Sequence, residues 1–246
     1  MRSFRSVLFR FLAKLGGHEL AVLLALAGVV SGVWLFGLIA AEVMDGDTGS
    51  MDKRLLLSLR RPNDLSPIGP PAVQDAARDI TALGGPSVLT FVTLIAAGFL
   101  LLDGKRHMAL FVFASVLSGL IVSTILKDLF QRARPDLVPH AAYVSTTSFP
   151  SGHSMLSAVT YLTLGALLAR SQRQKRLKAY FLLVAAILAC LVGVSRVNLG
   201  VHWPSDVLAG WVAGASWAIV CWLAARWLQG RHVIEGEAEH TSQERA

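Results

Sequence analysis

The sequence predicts an all-α polytopic membrane protein: a bundle of six transmembrane helices with short interfacial helices in the first extracytoplasmic loop. Three observations predict it. Hydrophobic residues make up 54% of the 246, charged residues only 16%, and mean hydropathy is +0.55. A soluble domain usually holds about 45–50% apolar and about 25% charged residues, so this excess needs a bilayer to receive it. The apolar residues gather in runs almost free of ionisable side chains, and basic residues fall in alternate connections between those runs.

The runs lie near 20–43, 86–102, 108–126, 151–169, 179–194 and 207–225. A helix rises about 1.5 Å per residue, so roughly 20 residues cross a hydrocarbon core about 30 Å thick. The first run is long enough outright, and several others borrow a turn from their flanks. That first run also exceeds the roughly 7–15 apolar residues of a signal peptide, so it reads as a retained anchor. Ahead of it, Phe4, Val7, Leu8, Phe11, Leu12 and Leu15 recur at helical spacing among Arg2, Arg5, Arg10 and Lys14. Residues 1–17 therefore read as an interfacial segment on an anionic leaflet.

Those four cations, then Lys105 and Arg106, then the cluster from Arg170 to Lys178, then Arg226 and Arg231, all fall on one face of a six-span chain. The positive-inside rule makes that face cytoplasmic. A multi-pass protein of the cell membrane follows, with both termini cytoplasmic and the loops at 45–85, 127–150 and 195–206 outside. In the 45–85 loop, Leu55, Leu56, Leu59 and the stretch 73–83 suggest short surface helices, since long structureless loops are uncommon. Residues 1–228 form one domain, and the polar, acidic stretch 229–246 reads as a disordered cytoplasmic tail. Cys190 and Cys221 both sit in apolar runs, which argues for small core residues and against a disulfide framework.

The charges that topology leaves unexplained carry the chemistry. Lys127, Arg134 and Pro135 form K-x6-R-P after the third run. Pro150, Ser151, Gly152 and His153 form P-S-G-H at the start of the fourth. Ser195, Arg196, His202 and Asp206 form S-R-x5-H-x3-D between the fifth and sixth. All three share one predicted membrane face, so they can meet at the mouth of the bundle. Lys127, Arg134 and Arg196 supply cations for a phosphate, two of them guanidinium forks. Ser151 can cap the fourth helix, Gly152 lets backbone approach closely, and the free N–H groups there add an anion site. Neutral His202 can attack phosphorus while Asp206 holds its tautomer, and His153 can protonate the departing oxygen. Residue types alone do not separate the two histidine roles, although the spacing to Asp206 favours His202 as nucleophile.

The three motifs resemble the signature of the type 2 phosphatidic acid phosphatase superfamily, matched without a substituted letter. That resemblance implies a membrane lipid phosphatase working through a phosphohistidine. It makes His202 the nucleophile and His153 the acid, with Lys127, Arg134, Ser151, Gly152 and Arg196 on the phosphate. Undecaprenyl diphosphate, phosphatidylglycerol phosphate, phosphatidic acid and lipid A phosphates all present a fitting headgroup, so the expected partners are the bilayer and a phospholipid or polyprenyl phosphate.

Other readings fit less well. The net charge of +7 does not make a basic stripe interleaved with aromatics, so no nucleic-acid partner is expected. No metal or cofactor is expected, because the cations beside the histidines repel a metal and attract an anion. A transporter or scramblase usually carries ionisable or broken elements at mid-membrane, which these runs lack. A lipid phosphotransferase would use the same site with a different acceptor. Arg132 reads as a surface charge or a headgroup contact.

Overall fold

The computed structural model describes residues 17–139, 142 and 146–230, so the predicted interfacial segment before residue 17 and the tail after 230 lie outside the described residues. Eight helices are present among them: α1 (Gly17–Asp45), α2 (Gly49–Ser58), α3 (Pro71–Ala82), α4 (Pro86–Leu102), α5 (Arg106–Phe130), α6 (Gly152–Ser171), α7 (Lys175–Asn198) and α8 (Pro204–Gly230). No strand occurs among the described residues, only an isolated bridge between Arg60 and Pro67.

Five helices are long and apolar enough to cross a membrane. The 17-residue α4 reaches that length only together with α3, to which it joins at a 51° bend. Each of the other five runs past its apolar stretch, because helical hydrogen bonding continues into polar residues that hydropathy assigns to loops. Lys127 and Arg196, expected just outside the spans, therefore sit in the last turns of α5 and α7. α2 and α3 fall where the first loop was expected to be helical. They also do more than lie on a surface: Leu56 of α2 is wholly buried against Val138, Val197, Trp203 and Val207.

Helix α6 is the central element. Its buried face is rich in Ser, Thr, Ala and Gly, and it packs against α4, α5, α7 and α8. Small residues let helix backbones approach closely where the surroundings are as apolar as the side chains. Gly210 and Gly214, four residues apart on α8, show the consequence. A Cβ at Gly210 would lie 2.7 Å from the Ser151 carbonyl oxygen, and one at Gly214 would lie 2.5 Å from that of Met155. The Ser151 N–H also donates to the Asp206 carbonyl oxygen at 2.9 Å. The starts of α6 and α8 are thereby fixed against each other.

The outward faces carry Leu24, Val30, Trp34, Phe91, Phe99 and Leu102, each more than 60% exposed, which suits acyl chains and not water. α1 packs on α8, and its C-terminal half also meets Phe130 of α5 and Phe149 of the loop before α6 through Phe36, while most of its remaining circumference is left to lipid. Cys221 is buried as expected. Cys190 is exposed on α7, so its apolar surroundings in sequence reflect an outward-facing helix side and not a protein core.

Candidate active site

Alternating helix directions bring the C-terminal ends of α5 and α7 and the N-terminal ends of α6 and α8 to one end of the bundle. Every residue singled out in the three motifs lies there. Lys127 and Arg196 close α5 and α7, Ser151 caps α6, and Gly152 and His153 form its first turn. Arg134 follows α5 in a loop. His202 sits in the connection before α8, and Asp206 lies in the first turn of α8.

His202 is 1% exposed. Its Nε2 lies 3.1 Å from Arg134 Nη1. A guanidinium can only donate, so Nε2 must accept and carries no proton. The ring proton then sits on Nδ1, 3.5 Å from both Asp206 Oδ2 and Ser148 Oγ. Burial pushes the His202 pKa down to about 4, against the pull of Asp206, while Arg134 and Arg196 add to the depression. The ring is neutral at physiological pH, with a lone pair facing the cations.

Asp206 is wholly buried and fully partnered. Its Oδ2 accepts the Trp203 N–H at 2.9 Å and the Ser148 hydroxyl in a short hydrogen bond. Its Oδ1 accepts Arg132 Nη1 at 2.6 Å. Arg132 is thus no surface charge. Its other arm donates to Asp52 Oδ2 at 2.8 Å, and its guanidinium lies 5.6 Å from the Trp203 ring centroid. Asp52, also wholly buried, accepts the Ser205 N–H at 2.9 Å and the Ser205 hydroxyl at 2.6 Å. A carboxylate from the first loop therefore caps the start of α8, where helical N–H groups lack partners and the dipole favours negative charge. Two buried carboxylates flank one arginine, and removal of the arginine would leave both charges uncompensated.

The three motif cations hold neutral oxygens. Arg134 donates to the carbonyls of Thr146 at 2.7 Å and Val201 at 2.6 Å, and Lys127 Nζ donates to that of Thr147 at 2.7 Å. Arg196 Nη1 donates to Thr81 Oγ1 at 3.1 Å, while its buried Nε has no partner among the described residues. An anion would add charge–charge attraction to these bonds and, for the two guanidiniums, a bidentate fit that a single carbonyl oxygen does not offer. At Gly152 an added Cβ would lie 3.2 Å from Lys127 Cε, so the absence of a side chain lets the lysine stem lie against the start of α6. Ser151 Oγ accepts the Ser154 N–H at 3.4 Å, the cap predicted from sequence.

His153 lies under the bend between α3 and α4, where a Cβ on Gly85 would be 3.9 Å from its Nε2. The bend is tied down by Tyr161, whose hydroxyl donates to the Leu83 carbonyl at 2.7 Å. His153 is within electrostatic reach of Arg196, His202, Lys127 and Arg134. No direct hydrogen bond joins it to another motif side chain among the described residues. Sequence reasoning missed Ser148, Arg132, Asp52, Ser205 and Thr81. The one available signal was the position of Arg132 two residues before Arg134.

Membrane-length helices with an apolar girdle define a multi-pass membrane protein, one end of which gathers a buried histidine, a second histidine and three cations. A family model described as the PAP2 superfamily matches residues 108–229. Phosphatidylglycerophosphatase B of Bacillus subtilis is 35% identical over 58% of this chain and 71% of its own. Lipid A 1-phosphatase of Rhizobium etli is 26% identical over 63% of this chain and 74% of its own. The crystal structure of a transmembrane PAP2-type phosphatidylglycerolphosphate phosphatase from Bacillus subtilis superposes with a TM-score of 0.71 at 27% identity, covering 81% of this chain and 96% of that one. The chain belongs to the PAP2 superfamily.

Proposed function

We propose that this chain is a metal-independent membrane lipid phosphatase that hydrolyses a phosphomonoester or diphosphate of a lipid through a phosphohistidine. The observation that carries the reading is His202, neutral and with an unprotonated Nε2 turned towards Arg134. Family membership and relatives named for phosphatidylglycerophosphate and lipid A support the substrate class.

The phosphate takes the place of the carbonyl oxygens now bonded to Lys127 and Arg134, and accepts from the Arg196 guanidinium in place of Thr81. The first N–H groups of α6, at Gly152 and His153, are not consumed by the helix and add donors beside Ser151. Charge on the equatorial oxygens of the transition state is met by these cations. Nε2 of His202 attacks phosphorus as the bond to the lipid oxygen breaks. The negative charge of the bound phosphate lets His153 hold a proton among these cations, and His153 gives it to that oxygen, so a lipid alcohol departs, or a lipid monophosphate from a diphosphate. Asp206 stabilises the positive charge left on the His202 ring. His153, now basic, takes a proton from water, whose oxygen attacks phosphorus, breaks the P–N bond and releases inorganic phosphate. With both termini cytoplasmic, this centre opens on the extracytoplasmic side.

The test is phosphate release by purified protein in detergent containing a chelator. The substrates are phosphatidylglycerol phosphate, phosphatidic acid, undecaprenyl diphosphate and lipid A. Release from at least one lipid, abolished in His202→Ala, is expected. Activity that requires an added metal, or survives His202→Ala, overturns the mechanism.

A further inference from the structure

Ser148 is wholly buried, belongs to none of the three motifs and lies just ahead of α6. The ring of its neighbour Phe149 is pinned between those of Phe130, 5.1 Å away between centroids, and Phe36, 5.8 Å away. The Ser148 N–H donates to the Arg132 carbonyl at 2.8 Å. The two residues so paired grip both oxygens of one carboxylate. Arg132 Nη1 donates to Asp206 Oδ1 at 2.6 Å, and the Ser148 hydroxyl donates to Oδ2. The plane of the carboxylate is thereby fixed, with Oδ2 on the side of His202.

A hydroxyl has one proton and two acceptor lone pairs. The Ser148 proton is spent on Asp206, so a lone pair remains for the His202 ring. The protonated Nδ1 of that ring is 3.5 Å from Ser148 Oγ and 3.5 Å from Asp206 Oδ2. At that length the contact is weak. It does not stay so once Nε2 bonds to phosphorus. The ring then carries a positive charge, its proton stays on Nδ1, and such a charged N–H draws its acceptor oxygens in to about 2.7–2.9 Å. A contact that is weak in the resting ring and strong in the charged one lowers the barrier without tightening substrate binding.

We propose that Ser148 is a positioning residue for His202: it holds the Asp206 carboxylate against Nδ1 and lends its own oxygen to that proton as the ring becomes charged. This rests on the reading of His202 as the nucleophile. Ser148 meets the Nδ1 edge of the ring, away from the Nε2 that faces Arg134, so its effect falls on the ring and not on the phosphate. Its removal leaves Asp206 anchored by Arg132 and by the Trp203 N–H at 2.9 Å. Ser148→Ala therefore keeps the fold and isolates the hydroxyl.

The experiment is single-turnover stopped flow on the purified full chain in detergent, with enzyme in saturating excess over p-nitrophenyl phosphate. The appearance of nitrophenolate times the formation of the P–N bond. Ser148→Ala should slow that rate constant about 10- to 100-fold, less than the roughly 10²–10³ typical of a donor that touches the transition state, with KM within about twofold of the parent. A merely damaged fold lowers the competent fraction and leaves this rate constant alone. Ser148→Cys, which keeps a weak donor in nearly the same volume, should fall between the parent and Ser148→Ala. Orthovanadate can take a fifth ligand from Nε2, as phosphorus does in the transition state, so it should inhibit Ser148→Ala more weakly by a similar factor. Inorganic phosphate, held by the cations, should inhibit the variant as it does the parent. A parent-like rate constant in Ser148→Ala overturns the proposal. So does equal weakening of vanadate and phosphate, which would place Ser148 at the anion site. Failure of the underlying reaction shows separately, as turnover that survives His202→Ala.

Discussion

Arg132→Gln is the most informative single perturbation, because it tests a residue that the motifs do not contain. Arg132 is 15% exposed and stands between two wholly buried carboxylates, at 2.6 Å from Asp206 and 2.8 Å from Asp52. Removing one member of a buried ionic cluster leaves uncompensated charge and typically costs about 3–5 kcal/mol. For a chain of 150–250 residues each 1 kcal/mol moves the melting midpoint by about 2–4 °C, so a drop of roughly 6–20 °C is expected. Adding Asp52→Asn to this variant neutralises one orphaned carboxylate and should recover part of the loss. The coupling between the two positions is expected on the order of 0.5–3 kcal/mol. The assay is thermal unfolding in detergent, followed by tryptophan fluorescence. Turnover should fall as well, since Asp206 loses its anchor, with little change in KM. An Arg132→Gln protein that melts with the parent, and gains nothing from Asp52→Asn, would refute the idea that this cluster supports the site.

Four further outcomes are expected. His153→Ala should lose far more activity on a lipid phosphate than on p-nitrophenyl phosphate, whose leaving group needs no proton, while His202→Ala is inactive on both; equal losses would remove His153 from the acid role. Arg134→Lys and Arg196→Lys keep charge but lose the planar fork, and each should lower turnover by about 10²–10³ with unchanged folding; near-native rates would show that neither holds phosphate. The folded pKa of His202, about 4, lies below its ordinary 6.5, so the unfolded chain binds that proton more readily. Its contribution to stability is complete above pH 6.5 and declines as the pH falls towards 4. Nitrogen-15 shifts of the ring should show an unprotonated Nε2 at pH 6, and an imidazolium there contradicts the assignment. Finally, cysteines placed at Ser66, Thr146 and Asn198 should react with an impermeant thiol reagent on intact cells, and one at Gln172 only after the membrane is opened; the reverse pattern would put the centre in the cytoplasm.

The helices were legible because apolar runs and their lengths are local properties. Their ends were not. Hydropathy stops at the first charge, but Lys127 and Arg196 continue helical hydrogen bonding and point into a polar pocket that the sequence does not display. The motif residues could be grouped because alternating topology brings three distant segments to one face. Their support could not. Arg132 resembles a surface arginine until Asp52, 80 residues earlier, is seen beside it. Asp52 itself is one carboxylate among several in a loop of mixed charge. Ser148 lies just ahead of P-S-G-H and gains its meaning only when the starts of α6 and α8 meet.

The capping of α8 by Asp52 bears on how members of this superfamily can be recombined. The segment between α1 and α4 is the natural candidate for exchange between relatives when a different lipid is wanted. Here it is also a structural strut: Asp52 holds Ser205 and Arg132, Arg60 donates to the Asn198 carbonyl at 2.7 Å, and Thr81 receives Arg196. A graft that replaces this segment without those three side chains would dismantle the seat of His202 before any new headgroup could be tested. A chimera built around them could alter selectivity while leaving the chemistry standing.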